Sequence, residues 1–262
     1  MRLTDVEAWL DRLYIAAEGA GLRDEDKRKA QEVAAMLDEI ERAASRLSRR
    51  SPIVLVDAAA GKSYVGLLAA RLVFEPGSLT ARVVTLEREA SRVALSRRAV
   101  ERLETSIPIE CRQAEVSDPA AWPDRPSIVT ALHACGEAAD AVIERAIASN
   151  CRELLLVPCC TSRAVAAATR AEARAAASGI PRHAPVRRRF IQAMVDAERT
   201  WRLEAAGFET EVVEFVGATV TPHNLLWRSR KVGEPSRCAA AERALARLQS
   251  AVVIGSGRIT DP

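Results

Sequence analysis

Between residues 53 and 157 one local pattern keeps returning: a short apolar run, then a stretch whose apolar residues recur every three or four positions. The runs at 53–56, 82–86, 107–111, 127–132 and 153–157 alternate with helical patterns at 65–72, 90–103 and 138–148. Apolar runs this short and continuous are strands buried on both faces, and strands that alternate with helices build a parallel sheet. Two further strand-like runs, 211–216 and 224–230, follow helical patterns at 162–178 and 190–206. No helical pattern separates those last two, which predicts an antiparallel hairpin. The expected fold is α/β: a doubly wound, mostly parallel seven-stranded sheet with an antiparallel final hairpin.

Residues 1–50 read differently. Val33, Leu37, Ile40, Ala44 and Leu47 repeat at helical spacing among charges, as do Leu10 and Leu13, while Gly19, Gly21 and the charged stretch 23–29 interrupt them. Two helices joined by a loop are expected, forming an N-terminal helical cap over residues 1–50. The main domain covers 51–232, and 233–262 forms a C-terminal helix and tail. With 48% apolar residues in 262, the chain can bury a full core. No apolar run nears the roughly 20 residues of a bilayer span. The N-terminal residues are acidic and aromatic where a signal peptide would be purely apolar, so a cytoplasmic protein is expected. The six cysteines show no regular spacing and are expected to be reduced thiols. Net charge is +3 and only four of 38 basic residues are lysines, a balance too mild to name a partner by itself.

Chemistry concentrates first where the strand at 53–56 meets its helix, in Asp57-Ala58-Ala59-Ala60-Gly61-Lys62-Ser63-Tyr64. A turn of small residues at a helix start lets a ligand approach backbone N–H groups at the positive end of the helix dipole. A nucleotide-like ligand fits. Gly61-Lys62-Ser63 also resembles the end of a phosphate-binding P-loop, but that motif needs a glycine where Val56 stands. An ordinary tight connection is the remaining alternative. The second strand ends in Glu87, 30 positions after Asp57, where a carboxylate can accept both hydroxyls of a ribose, or simply face solvent.

In order along the chain, Asp57 to Tyr64, Glu87, Leu132-His133-Ala134-Cys135-Gly136 and Val157-Pro158-Cys159-Cys160 resemble the class I S-adenosylmethionine-dependent methyltransferases. The branch most similar is the one that methylates tRNA at ribose 2′-hydroxyls, together with its bacterial relatives. Asp196-Ala-Glu-Arg199, Leu203-Glu204-Ala-Ala-Gly207-Phe208, Glu214-Phe215-Val216 and Thr221-Pro222-His223-Asn224 extend the resemblance, which covers about residues 50 to 232. It implies S-adenosyl-L-methionine as cofactor. Asp57, Ala58, Ala59, Gly61, Lys62 and Tyr64 would surround its amino acid moiety, Glu87 and Arg88 its ribose and Glu115 its adenine; His133 and Ala134 would lie beside the sulfonium. Ala59 and Ser63 stand where the family has glycine, so a more crowded loop is expected. Thr161 and Ser162 follow the cysteine pair where relatives often carry His.

The remaining candidates sit at the ends of the fourth and fifth strands. His133 could remove a proton from the methyl acceptor, or could hydrogen-bond backbone and shape the pocket. Cys159 could attack a ring carbon, although the acidic Asp-Ala-Pro-Cys partner motif of such enzymes is missing; small apolar packing is the alternative. Without a Cys-x-x-Cys pair, no metal site is expected. His223 and Asn224, before the last strand, could hold substrate or make a turn. Arg182, Arg187, Arg188 and Arg189, just before a helix, could bind RNA phosphates or could be a solvated connector. The expected activity is methyl transfer to RNA, with a small molecule or protein as alternative acceptor. A catalytically degenerate fold acting as a binding module is the alternative from another class.

Overall fold

The computed structural model describes residues 3–15 and 21–250. Seven strands form one sheet in the order β3-β2-β1-β4-β5-β7-β6. They are β1 (Ile53–Ala58), β2 (Ala81–Glu87), β3 (Ile109–Gln113), β4 (Ile128–Cys135), β5 (Glu153–Cys160), β6 (Phe208–Glu214) and β7 (Leu225–Lys231). The first five are parallel; β7 inserts antiparallel between β5 and β6. The order in which strands are added reverses between β1 and β4, and ligands of such sheets bind beyond the carboxyl ends at that reversal.

Eight α-helices accompany the sheet among the described residues: α1 (Leu3–Leu10), α2 (Asp24–Ser45), α3 (Tyr64–Ala69), α4 (Ala90–Leu103), α5 (Glu137–Ala148), α6 (Ala166–Ala177), α7 (Ala184–Ala205) and α8 (Pro235–Gln249). Two cores result. One packs α1, α2 and α3 with Leu55, Val83 and Leu155; the other packs α5 with Val56, Leu156, Leu203 and Trp227 on the opposite side. The N-terminal pair of helices is as expected, with one correction. The charged stretch from Asp24 onward begins α2 rather than interrupting it, because Asp24, Glu25 and Asp26 suit the positive end of the helix dipole. Gly19 and the tail beyond residue 250 lie outside the described residues.

Three ion pairs, seven residues apart, fasten α2 across the sheet. Glu32 meets His133 at the carboxyl end of β4, Glu39 meets Arg228 within β7, and Arg46 meets Glu153 at the start of β5. Seven residues is two helical turns, so these side chains share one face, and α2 runs antiparallel to β4 and β5.

A second arm rises from the carboxyl edge. Arg199 of α7 donates to the carbonyl of Gly136, immediately after β4, so α7 passes that edge at residue 199. Residues 184–198 therefore extend about 22 Å beyond it at 1.5 Å per residue. They pack on α6 around a small core of their own, Val165, Ala167, Ala168 and Val195. Helix α7 starts at Ala184, with proline in its first turn, so Arg187, Arg188 and Arg189 lie in the helix and not before it.

Candidate functional site

The turn after β1 keeps a glycine-type shape with alanine and serine at two of its three left-handed positions. Ala59, Gly61 and Ser63 have φ of 53°, 59° and 60°, the left-handed region that costs a residue with a Cβ about 1–2 kcal/mol. At Gly61 an added Cβ would meet nothing within 4 Å. Hydrogen bonds from neighbouring elements hold the turn. Gly61 N–H donates to Glu87 Oε2 at 2.8 Å, Ala60 N–H to the Leu86 carbonyl at 2.9 Å, and the Tyr14 hydroxyl to the Lys62 carbonyl at 2.7 Å. Tyr14 also stacks edge-on against Tyr64, ring centres 4.6 Å apart. Burial pushes its phenol well above the ordinary value.

Two carboxylates lie beneath this turn. Asp57 is 1% exposed, and its Oδ2 accepts the N–H of Gly66 at 2.9 Å. Burial raises its pKa to about 7; the Gly66 hydrogen bond opposes this and the charge of Glu87 adds to it. Gly66 is required for that approach, since a Cβ there would sit 3.1 Å from Asp57 Oδ2. Glu87 is 6% exposed and accepts the N–H of Glu89 at Oε1 as well as that of Gly61 at Oε2. Glu87 is therefore not a solvated strand end. Each carboxylate oxygen has two lone-pair directions, so one on each remains for a ligand hydroxyl. Arg88 and Glu115 are exposed at the ends of β2 and β3.

His133 is the irregular residue of β4. Leu132 pairs with Val157 and Ala134 with Pro158, leaving His133 as a bulge with φ 65°. Bulges re-aim side chains, and here the imidazole Nε2 reaches Glu32 Oε2 at 2.9 Å. Ala134 is wholly buried and can offer a ligand only backbone. The same irregularity brings Cys135 and Cys159 to a Cα–Cα distance of 5.4 Å, where they are joined as a disulfide. This corrects the expectation of six reduced thiols; Cys111, Cys151 and Cys238 are free. In the bridged form Cys159 has no thiolate to offer. Asn224 is engaged within its own loop. Its amide donates to the Val216 carbonyl at 3.1 Å and its own carbonyl accepts from Phe215, closing the β6–β7 loop. Thr221 accepts the N–H of the half-buried His223, completing the turn. No cluster of metal-ligating groups occurs among the described residues.

A family profile described as a methyltransferase domain matches residues 28–166, from α2 to the start of α6. The chain belongs to this methyltransferase family. Solved methyltransferase structures resemble it in fold at low identity. The CurJ carbon methyltransferase is 9% identical at a TM-score of 0.51, covering 86% of this chain and 61% of that one. The fibrillarin/Nop5p complex is 12% identical at 0.50, covering 77% and 81%. Magnesium protoporphyrin IX methyltransferase from Synechocystis PCC 6803, solved with bound SAH, is 13% identical at 0.48, covering 88% and 100%. No curated protein matches the chain.

The residues around the turn fit the S-adenosyl-L-methionine expected from the sequence. An adenosyl group needs a turn open to close approach and a carboxylate with spare lone pairs for hydroxyls; the turn at Gly61 and Glu87 supply these. Three contributors escape a sequence reading: Tyr14, Lys29 and Glu32. Tyr14 belongs to the helical turn Asp11–Ile15 that follows α1, Lys29 and Glu32 to α2, and only the register of Glu32 with Glu39 inside an apolar stripe hints at burial.

Proposed function

We propose that the chain is an S-adenosyl-L-methionine-dependent methyltransferase acting on RNA. The observation that carries methyl transfer is the left-handed turn from Ala59 to Ser63 clamped onto the carboxylate of Glu87. When bound, the cofactor supplies an electrophilic methyl group. The turn from Asp57 to Tyr64 holds its amino acid end, Glu87 with Arg88 its ribose and Glu115 its adenine. His133 and Ala134 lie where the methyl is delivered, with the Cys159 bridge shaping the wall beside them and His223 on the facing loop. Work of this kind is mostly alignment of acceptor and methyl carbon, with removal of one proton.

An RNA acceptor is favoured by the α6–α7 arm. Arg182, Arg188 and Arg189 are exposed near its tip, above the carboxyl edge, and have no acidic partner among the described residues; Arg187 is held by Glu172. Phosphates of a strand entering the crevice would pass this tip. The resemblance to the tRNA 2′-O-methylating branch points the same way, and such an enzyme would work in the cytoplasm.

Purified protein, tritiated S-adenosylmethionine and RNA from a deletion strain test the reading. Label entering one RNA fraction is the expected result. Label in no RNA but in a protein or metabolite extract refutes the RNA acceptor and retains methyl transfer. A binding module is the outcome if calorimetry finds no S-adenosylhomocysteine binding at millimolar ligand.

A further inference from the structure

Helix α2 does more than cover the sheet. It delivers Glu32, whose side chain is 6% exposed, to the imidazole Nε2 of His133 at 2.9 Å. Nothing in the local sequence calls for a buried acid there, and the bulge in β4 with its left-handed His133 is the feature that brings the ring to it. A residue with a Cβ held in that conformation costs of order 1 kcal/mol or more and persists where the surroundings fix it. Here the β4–β5 pairing holds the backbone on both sides of the bulge, and the carboxylate holds the ring.

We infer that Glu32 is a positioning residue for His133, and that the pair forms the proton-accepting unit of the site. This rests on the methyltransferase reading above. The hydrogen bond to Glu32 places the imidazole proton on Nε2 and leaves the Nδ1 lone pair free to accept one. When a neutral acceptor X–H reacts, its X–H bond breaks as the Nδ1–H bond forms, and the electron pair released on X makes the bond to the methyl carbon. The pair of the broken C–S bond stays on sulfur, so the positive charge lost there reappears on the imidazolium, beside the carboxylate.

The groups around His133 fit this role. Burial favours a neutral Glu32, but hydrogen bonds from His133 and Lys29, and then their charges, hold its carboxyl below the usual range. Lys29 reaches the same oxygen, Oε2, at 2.5 Å. Its hydrogen bond and charge favour the ionised carboxylate. From β4 and β5 the neighbouring Cys135 and Cys159 are bonded to each other and carry no charge.

The chain has three histidines, so the imidazole tautomer can be read directly. The full chain is labelled with ¹⁵N, saturated with S-adenosylhomocysteine and examined at pH 8 by long-range ¹H–¹⁵N correlation, with His133→Asn assigning the ring. The expected result is a single Nε2–H tautomer for His133 in the native protein and an exchanging mixture in Glu32→Ala. Glu32→Gln keeps an acceptor oxygen without charge. It should retain the tautomer yet slow methyl transfer to RNA by about 100-fold in kcat, with the cofactor KM unchanged. An unaltered tautomer in Glu32→Ala overturns the inference, as does full kcat in Glu32→Gln. Should Glu32→Ala fail to fold, the native tautomer and Glu32→Gln decide alone. Failure of the methyltransferase reading is seen separately, as absence of S-adenosylhomocysteine binding to the native protein.

Discussion

Replacing Ser63 with glycine should stabilise the protein although it deletes a fully buried side chain. Ser63 is 0% exposed, has φ 60°, and its hydroxyl finds no hydrogen-bond partner. Relief of the left-handed conformation is worth about 1–2 kcal/mol. Removing a buried, unpaired hydroxyl adds about 1–3 kcal/mol. Against these stand about 0.5–1 kcal/mol of extra backbone entropy in the unfolded chain and about 0.8 kcal/mol for the lost methylene. The balance favours Ser63→Gly by about 2 kcal/mol, or a Tm rise of about 4–8 °C for a chain of this size. Urea and thermal melts measure it, and Gly61→Ser is the control: the same left-handed backbone at φ 59°, lacking a Cβ at present, should lose about 1 kcal/mol. The reasoning is refuted if Ser63→Gly melts at or below the native temperature while Gly61→Ser behaves as expected. That outcome would mean that the Ser63 hydroxyl is satisfied after all.

Three other perturbations test neighbouring parts of the site. Glu87→Ala should weaken S-adenosylhomocysteine binding in calorimetry by about 1–3 kcal/mol, since ribose hydroxyls lose a charged acceptor; unchanged affinity would leave Glu87 only its bonds to Gly61 and Glu89. Asp57, with its folded pKa raised to about 7 from 3.8, contributes stability that is complete below pH 3.8 and is lost as pH rises through 7. Asp57→Asn should therefore flatten the fall in stability between pH 5 and 8 in urea melts, and an identical slope in both proteins would contradict the buried, protonated carboxyl. Alkylation and intact mass after denaturation should show two more modified cysteines with reductant than without, because Cys135 and Cys159 are bonded; equal counts would show them free.

Much of this was readable in the chain because strand burial and turn chemistry are local. The alternation of apolar runs and helical patterns yields the seven strands and their final hairpin, with β1, β4 and β5 longer than their apolar runs. Those extensions have a reason: Asp57, His133 and Pro158 are polar or irregular residues that continue a strand beyond its core, which apolar spacing cannot register. Glu87 was legible from its distance to Asp57. Its partner, the N–H of Gly61, was not, since a hydrogen bond across 26 positions depends on the β1–β2 register. The disulfide and the Glu32–His133 pair were hidden for the same cause. Both join residues that only the bulge in β4 brings within reach. Asn224 shows the converse: its residue type suited either ligand or turn, and its bond to the Val216 carbonyl is a turn contact that residue type alone does not specify.

Alanine and serine in left-handed positions of the turn after β1 have a mechanical consequence. Strained residues persist when surrounding structure over-determines them. At Ala59 and Ser63 that structure is specific: Leu86 and Glu87 grip Ala60 and Gly61 from β2, and Tyr14 grips Lys62 from the N-terminal helices. A glycine-rich turn is free to explore conformations before ligand arrives and loses that freedom on binding. This turn has fewer to lose, because each Cβ narrows the unfolded choices and the flanking bonds select the left-handed one. The N-terminal helices are thus joined to the site at two points, through Tyr14 at the cofactor turn and Glu32 at His133. Removing the Tyr14 hydroxyl should loosen the first without touching the second, so cofactor affinity and His133 tautomer should respond to different substitutions in the same cap.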